Sequence, residues 1–254
     1  MIERAVFLGS KKFGFEVFKA LYEADESVQW TIMCPPDLND LRTFYDEFTS
    51  YARKKDIDLL LVDSPEKIVK FAKDHHPNVI IVCGYYRILP EQLFKNVSQG
   101  VWGIHNSLLP KYRGGSPLVW QVINREKVLG STFFKFSDGM DEGAILDQVS
   151  IENTSNLTIA DAGDLIELEW IKKLPKIWKK FSQGKLVAKE QNHKEATYCA
   201  QRQEYDGEIN WQNDASSIDA FIRAQENPYP GAFFKFEGKK IKILKYKSDE
   251  RFVY

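Results

Sequence analysis

The sequence has 254 residues, of which 43% are hydrophobic and 13% aromatic, and this composition excludes a disordered chain. The 35 Lys and Arg residues nearly balance the 36 Asp and Glu residues, so the net charge of −1 provides no overall attraction to nucleic acid or to an anionic membrane. The length predicts one large domain, or one domain with a small appendage.

The cysteines and the N-terminus indicate the cellular compartment. Cys34, Cys83 and Cys199 form no CxxC pair, so neither a zinc site nor a disulfide framework is expected. Cys34 and Cys83 lie in apolar runs and are expected to be buried. The chain begins with a strand pattern rather than a signal peptide, and no window of about 18 apolar residues occurs. We therefore expect a cytoplasmic protein without a membrane span and without a metal.

The first 150 residues alternate between strand and helix patterns. Five short apolar runs predict strands, at residues 5–8, 28–34, 57–62, 78–83 and 101–104. Helical or amphipathic patterns lie between them, at residues 13–24, 38–52 and from Ser64-Pro65 onward. This alternation predicts an α/β fold with an open, mostly parallel, Rossmann-like sheet and helices on both faces. Ligands of such sheets bind beyond the carboxyl ends of the strands, which directs attention to the loops after the strands.

The pattern changes after residue 150. Thr158 and Asp161 predict a capping box at the start of a long helix that ends near Phe181. One face of this helix carries Lys172, Lys173, Lys176, Lys179 and Lys180. A solvated helix face is the favoured interpretation of these lysines, and a polyanion site is the alternative.

The C-terminal segment predicts a small β-containing appendage. A helix is expected at 215–224, a turn at 228–231, and a hairpin of 232–236 with 239–244. We therefore predict a catalytic domain over residues 1–195 and a small C-terminal subdomain over residues 196–254.

Two polar loops are the segments in which chemistry is expected. Residues 103–117 follow a strand and read GIHNSLLPKYRGGSP, and residues 137–143 follow a second strand pattern at 131–136 and read SDGMDEG. Considered by itself, the histidine of the first loop would be interpreted as structural. The second loop by itself would be interpreted as a turn with acidic side chains that face the solvent. Because both loops follow strands, their side chains can converge on one cleft.

Together the two loops resemble the folate-dependent formyltransferase family, which includes methionyl-tRNA, glycinamide ribonucleotide and sugar N-formyltransferases. The resemblance is carried by His105 with the SLLPKYRG string at 107–114, and by the MDEGAIL string at 140–146. Further similarity lies at Pro117, Trp120, 130–132, 206–211, 222–224 and 228–232. Within this family the chain most resembles the sugar N-formyltransferases. The resemblance spans most of the chain.

The family implies a mechanism. An amine attacks the formyl carbon of 10-formyltetrahydrofolate, a tetrahedral intermediate forms, and tetrahydrofolate leaves. This chemistry requires a proton acceptor and donors directed at the developing oxyanion. His105 is implied to transfer the proton or to stabilise the oxyanion, and Asp141 to orient His105 and stabilise its charged form. The alternative for Asp141 is a turn residue that caps local backbone N–H groups.

The sequence departs from the family at one position. The catalytic asparagine of the family lies two residues before the histidine, and that position is Gly103 here. Asn106 directly follows His105 and is the nearest side-chain amide in the sequence. Within a strand, residue 106 would point away from residues 103 and 105, but past the end of a strand this alternation need not hold. Asn106 is therefore either the replacement donor or a turn residue, with a backbone N–H or a water as the donor.

The family also implies a folate pocket, formed largely by backbone atoms of the loops at 83–90 and 137–141. The implied cofactor-binding residues are Tyr85, Arg87, Ile88, Leu89, Ser137, Asp138, Gly139 and Asp141. Ordinary packing at the sheet edge is the alternative for the first four. Ser107 and Arg113 are the implied substrate-binding residues, and Arg113 would meet a phosphate or form a structural ion pair.

The acceptor amine is predicted from the charge of the C-terminal segment. We expect a nucleotide-linked amino sugar, because residues 201–254 carry nine basic and nine acidic residues and so offer no net charge for RNA. The alternatives are methionyl-tRNA, a peptide or aminoacyl acceptor, and a catalytically silent sugar-binding homologue prompted by Gly103. The oligomeric state stays open, with a homodimer as one of the options.

Overall fold

The computed structural model describes residues 1–37, 40 and 42–243. Its strands are β1 (Arg4–Leu8), β2 (Gln29–Cys34), β3 (Asp58–Leu61), β4 (Val79–Val82), β5 (Val101–His105), β6 (Arg113–Gly114), β7 (Val128–Lys135), β8 (Ile145–Glu152), β9 (Tyr198–Cys199), β10 (Phe233–Phe236) and β11 (Lys239–Lys242). Its α-helices are α1 (Lys12–Ala24), α2 (Tyr45–Lys55), α3 (Pro65–His75), α4 (Glu91–Lys95), α5 (Pro117–Ile123), α6 (Ile159–Ser182) and α7 (Ala215–Arg223). Short 3-10 helices lie at His193–Glu195 and Glu204–Gly207.

The main sheet confirms the predicted α/β class. Its seven strands lie in the order β3-β2-β1-β4-β5-β7-β8, and β10 with β11 forms a separate hairpin. Strands β1 to β5 pair in parallel, so their carboxyl ends meet at one edge of the sheet. His105 is the last residue of β5 and lies at that edge.

Burial explains why the apolar runs form strands. All four residues of β4, Val-Ile-Ile-Val, are buried, as expected of a central parallel strand covered on both faces. Val6, Ile80 and Val82 belong to one buried cluster, which also includes Ile68 of α3. Cys34 and Cys83 are buried thiols, as predicted, and burial raises the pKa of Cys34 to about 12. All three cysteines are free.

The amphipathic pattern over residues 38–52 is only partly helical. The helix α2 begins only at Tyr45, because Thr43 pairs with Lys11 in an antiparallel bridge that keeps this segment extended. Residues 38, 39 and 41 of that pattern lie outside the described residues. Strand β8 was not predicted as a strand.

The C-terminal elements follow the predicted pattern. The Thr158 hydroxyl accepts from the backbone N–H of Asp161, whose carboxylate accepts from the Thr158 backbone N–H, so the capping box is present. Helix α7 and the β10–β11 hairpin also form where expected, with Leu244 outside the described residues.

Contacts divide the chain into two compact units, each made of several segments. The first consists of residues 1–105, 133–147 and 167–191, and the second of residues 106–132, 148–166 and 192–254. The predicted boundary after residue 195 stays a proposal for the C-terminal subdomain. Within the described residues, no helix is long and apolar enough to span a membrane.

Candidate active site

His105 and Asp141 are brought together in the first unit. The Nδ1 atom of His105 lies 3.5 Å from Oδ2 of Asp141, and the two side chains are 9% and 18% exposed. The ring of Phe134 meets the imidazole edge-on, at 6.2 Å between centroids. Packing and the carboxylate therefore restrict the orientation of the imidazole, as a proton-transfer group requires. The predicted pair is a structural fact, and its catalytic role stays a proposal.

A strained loop presents Asp141. Its φ of +51° lies in the left-handed region, which is costly for a residue with a side chain. Gln191 stabilises this loop, because its buried side-chain amide donates to the backbone carbonyls of Asp141 and Gly143, at 2.7 Å each. At Gly143 any Cβ would overlap the carbonyl oxygen of Lys135. Sequence reasoning missed Gln191, because it lies 50 residues from its partner and belongs to no motif.

The space beside Gly103 is filled. A Cβ at this position would collide with the ring of Phe136 and would lie 2.9 Å from the carbonyl oxygen of Val82. Phe136 packs against the core cluster that contains Val82 and also contacts Phe134, at 5.0 Å between ring centroids. Position 103 therefore cannot carry the asparagine of the family without displacing an aromatic side chain.

Asn106 belongs to the second unit, where its side chain makes a long-range contact. The Ser131 hydroxyl donates to Oδ1 of Asn106 at 3.1 Å, and the backbone carbonyl of Asn106 accepts from Gln121 at 2.6 Å. A turn asparagine would instead bond to the backbone a few residues away. This geometry favours a positioned amide over the turn-residue interpretation.

Both implied substrate-binding residues are deeply buried in the second unit. The Ser107 hydroxyl is fully buried and donates to the carbonyl of Lys111 at 2.7 Å. Arg113 is 1% exposed, and its guanidinium bonds to the Tyr198 hydroxyl and to His193 Nδ1, at 3.1 and 3.2 Å. These contacts hold the Arg113 guanidinium inside the second unit, while both the phosphate contact and the structural ion pair stay predictions. The Ser107 hydroxyl holds its own loop.

The loop at 83–90 divides into inward-facing and outward-facing residues. Tyr85 and Leu89 pack against the buried cluster under the sheet edge. Ile88 is 91% exposed, and Arg87 donates to the backbone carbonyl of Asp63. Within the described part of the chain, the buried Tyr85 hydroxyl has no hydrogen-bond partner, and burial raises its pKa.

The second implied cofactor loop is more open. Ser137 and Asp138 are exposed, Gly139 is partly buried, and the neighbouring Met140 is 61% exposed. Buried unpaired polar atoms and exposed apolar side chains are the kinds of group that bind an aromatic heterocycle with polar edges. The Tyr85 hydroxyl is of the first kind, and Ile88 and Met140 are of the second, so the chemistry of the two loops is compatible with a pterin.

Sequence reasoning also missed a buried carboxylate that joins three loops. Asp37 follows β2 and accepts hydrogen bonds from Ser10 after β1 and from Tyr86 after β4. The Lys11 ammonium lies 2.7 Å from both Asp37 and Asp40. Burial alone would raise the pKa of Asp37, but the hydrogen bonds from these partners outweigh it and hold the pKa below its ordinary 3.8.

Replacing Lys11 with Met is expected to destabilise the fold by about 3 kcal/mol, because it leaves the buried Asp37 charge without its cation. The carboxylate contributes stability above pH 3.8, and this contribution is lost as the pH falls through the lowered folded-state pKa. The difference in the free energy of unfolding between wild type and Lys11→Met, measured in urea, should therefore shrink as the pH falls below 3.8. Lys70→Met, which removes an exposed pair with Asp74, is the control and should cost less than about 1 kcal/mol. Equal effects of the two variants at neutral pH would contradict the prediction.

Among the residues that the structure describes, no three His, Cys, Asp or Glu side chains gather in a group that could hold an ion.

Two family models match the chain. The model described as "Formyl transferase" matches residues 48–169, and the model described as "Formyl transferase, C-terminal domain" matches residues 202–252. The first match contains His105, Asn106 and Asp141.

Individual proteins extend these matches along the chain. A methionyl-tRNA formyltransferase of Caldanaerobacter subterraneus is 31% identical over 255 residues, which cover 98% of this chain and 82% of the relative. A sugar N-formyltransferase structure from Shewanella has a TM-score of 0.77 at 17% identity, covering 94% of this chain and 96% of that one. A structure of HypX from Aquifex aeolicus in complex with tetrahydrofolic acid has a TM-score of 0.71 at 18% identity, covering 97% of this chain and 38% of that one.

Proposed function

This chain belongs to the formyltransferase family, and we propose that it transfers the formyl group of 10-formyltetrahydrofolate to the amine of a nucleotide-linked amino sugar. The observation that carries the proposal is the His105–Asp141 pair at the carboxyl edge of the sheet, with 3.5 Å between Nδ1 and Oδ2. Such edges are where ligands of open α/β sheets bind.

His105 accepts the proton that the amine loses when it attacks. Because Nδ1 faces Asp141, the other ring nitrogen, Nε2, is the atom that we assign to this transfer. Asp141 fixes the ring and stabilises the imidazolium while the proton is held. The same proton then passes to the departing nitrogen, so that the group returns to its starting state.

Asn106 donates to the oxyanion that develops on the formyl oxygen. Two observations support this assignment: Asn106 directly follows His105 in the sequence, and its Oδ1 accepts a hydrogen bond from Ser131. The filled space beside Gly103 supports it as well, because no side-chain donor fits there. One such donor contributes about 3 kcal/mol to transition-state stabilisation.

The folate cosubstrate supplies an activated formyl carbon. Tyr85 and Ile88 of the first loop, and Asp138 and Gly139 of the second, are the residues that would hold it. The buried Tyr85 hydroxyl offers a polar contact, and Ile88 offers an apolar surface. Ser137, Arg87 and Leu89 stay predictions for the same pocket.

An amino-sugar acceptor is supported by the charges of the C-terminal hairpin. Lys235 lies 2.7 Å from Glu208, and Lys240 lies 2.7 Å from Glu204, so these lysines are neutralised within the chain. The fold shared with the Shewanella sugar N-formyltransferase is compatible with this acceptor. A homodimer stays a prediction.

Methionyl-tRNA is the second candidate acceptor. It is supported by the 31% identity to a methionyl-tRNA formyltransferase and by the exposed lysines of α6. Lys176, Lys179 and Lys180 are exposed, whereas Lys173 lies 2.6 Å from Asp147.

A formyl-transfer assay with a panel of acceptors tests the proposal. Purified protein and 10-formyltetrahydrofolate are offered nucleotide-linked amino sugars, methionyl-tRNA and an aminoacyl peptide in separate reactions. Formylation of at least one amino sugar, at a higher kcat/KM than the other acceptors, is expected. Efficient formylation of methionyl-tRNA with no activity on any amino sugar would replace the first candidate with the second.

Salt and charge reversal separate the two acceptors. Binding to many phosphates weakens with salt at a log–log slope of about −0.7 to −0.9 per phosphate, whereas a diphosphate gives a weak dependence. The triple variant Lys176, Lys179 and Lys180→Glu should keep its kcat/KM for the amino sugar within about threefold, because it lies on an exposed face. Lys173 is left unchanged because of its ion pair with Asp147.

A matched variant controls for net charge. Lys67, Lys70 and Lys73 on α3 are also exposed, and their change to Glu reverses the same number of charges. Lys67 and Lys70 form surface pairs with Asp63 and Asp74, whose loss should cost less than about 1 kcal/mol each. Both variants should behave alike towards the amino sugar. A selective loss in the α6 variant, together with a steep salt dependence in wild type, would favour the tRNA.

A further inference from the structure

The strongest feature outside the known pair is a buried serine that faces the Asn106 side chain. Ser131 lies on β7, is fully buried, and donates through its hydroxyl to Oδ1 of Asn106 at 3.1 Å. A side-chain amide has one acceptor end and one donor end. A hydrogen bond at Oδ1 therefore also sets the direction of the Nδ2 amino group.

The backbone of Asn106 is held as well. Gln121 of α5 is 2% exposed and donates to the carbonyls of Asn106 and Pro117, at 2.6 and 3.3 Å. The side-chain carbonyl oxygen of Gln121, Oε1, accepts from the backbone N–H of Gly130 at 3.0 Å. Gly130 directly precedes Ser131 in β7. Residue 106 is thus fixed at two points by residues that are themselves buried.

The donor end of Asn106 is not used by this network. Among the hydrogen bonds of the described residues, none is donated by Asn106 Nδ2, and the residue is only partly buried. An amide whose Oδ1 is held by a buried hydroxyl, and whose donor end is not used within the described residues, is restricted in orientation and free to donate to an oxyanion.

We propose that Ser131 is a positioning residue that acts through Asn106, and that the pair replaces the amide which position 103 cannot carry. This inference rests on the proposed function of Asn106. It assigns to Ser131 a role that a packing residue would not have, because the effect of its hydroxyl depends on the amide it orients.

A double-mutant cycle tests the dependence. Ser131→Ala is expected to lower kcat about tenfold with little change in KM for the amine, because a misdirected donor weakens the transition state more than substrate binding. In the Asn106→Ala background the same change should have no further effect on kcat. Ser131→Thr keeps the hydroxyl and should restore most of the activity.

The control is Ser182→Ala, another buried serine, whose hydroxyl contacts Asp25 and the carbonyl of Lys179. Its kcat should equal that of wild type. An unchanged kcat in Ser131→Ala, or an equal loss with and without Asn106, would overturn the proposal. Thermal unfolding of each variant shows whether a loss of kcat reflects misfolding. If Ser131→Ala is misfolded, the kcat of Ser131→Thr is compared with that of wild type instead.

A measurement that does not need turnover separates this inference from the proposed function. In uniformly ¹⁵N-labelled protein, the side-chain amide pair of Asn106 is assigned by its absence in Asn106→Ala. Loss of the Ser131 hydroxyl should shift this pair and increase its exchange with solvent, and Ser182→Ala should leave it unchanged. If the pair does not respond, the positioning role is wrong. If it responds while wild type formylates no acceptor, the positioning holds and the proposed function fails.

Discussion

Replacing His105 or Asp141 with Ala is expected to reduce formyl transfer by at least about a hundredfold, the usual scale for a general acid–base group. His105→Ala removes the proposed proton acceptor, and Asp141→Ala removes the carboxylate 3.5 Å from Nδ1 that we propose to orient and stabilise it. Because the two residues are proposed to act as one unit, the double variant should be little worse than the more damaged single variant. Initial rates at saturating 10-formyltetrahydrofolate measure the effect.

The control for this prediction is His75→Ala at the end of α3, where the exposed imidazole stacks on Phe71 at 4.1 Å. This variant should transfer formyl at the wild-type rate. Circular dichroism and melting temperature establish that the His105 and Asp141 variants are folded. Near-normal turnover by either folded variant contradicts the assignment.

Asn106→Ala is expected to raise the activation free energy by about 3 kcal/mol, and so to lower kcat roughly a hundredfold, because it removes the proposed side-chain donor to the oxyanion. Asn106→Asp should be at least as harmful, since it keeps an acceptor for Ser131 but places a carboxylate beside developing negative charge. KM for the amine should change far less than kcat. If Asn106→Ala retains wild-type kcat, a backbone N–H or a water is the donor.

Introducing a side chain at position 103 should not compensate for the loss of the Asn106 side chain. Gly103→Ala introduces a Cβ that meets the Phe136 ring and the Val82 carbonyl, so we expect a destabilisation of about 1–3 kcal/mol. Urea unfolding measures this cost. A stable Gly103→Asn variant that rescues Asn106→Ala would contradict the proposed relocation of the donor.

The fold could be predicted because its information is local. Apolar runs such as Val79–Val82 and the capping pair Thr158 and Asp161 specify their own elements, and the alternation of elements leaves few arrangements of a parallel sheet. The pairing of His105 with Asp141 could be anticipated from the family resemblance, and the 3.5 Å contact places the two side chains together.

The contacts that hold the site could not be predicted from the sequence. Ser131 lies 25 residues from Asn106, Gln191 lies 50 residues from Asp141, and Asp37 lies 49 residues from Tyr86. None of these pairs follows a helical or strand period, because each depends on how distant segments of the chain meet in three dimensions. The departure at Gly103 was visible in the sequence, but the ring of Phe136 that fills the space beside it was not.

The burial of Arg113 is a second case that depends on tertiary structure. An arginine in a polar loop suggests phosphate recognition, but this guanidinium is 1% exposed and bonds to Tyr198 and His193. These partners lie 85 and 80 residues further along the chain. Sequence spacing alone could not separate the two interpretations.

The transfer of isotopically labelled formyl from 10-formyltetrahydrofolate, followed on the acceptor by mass spectrometry, tests the proposed function most directly. Wild type should place the label on the amine of a nucleotide-linked amino sugar, and folded His105→Ala should do so at least about a hundredfold more slowly. If no acceptor of any class carries the label, or if His105→Ala labels the sugar at the wild-type rate, formyl transfer through His105 and Asp141 is wrong.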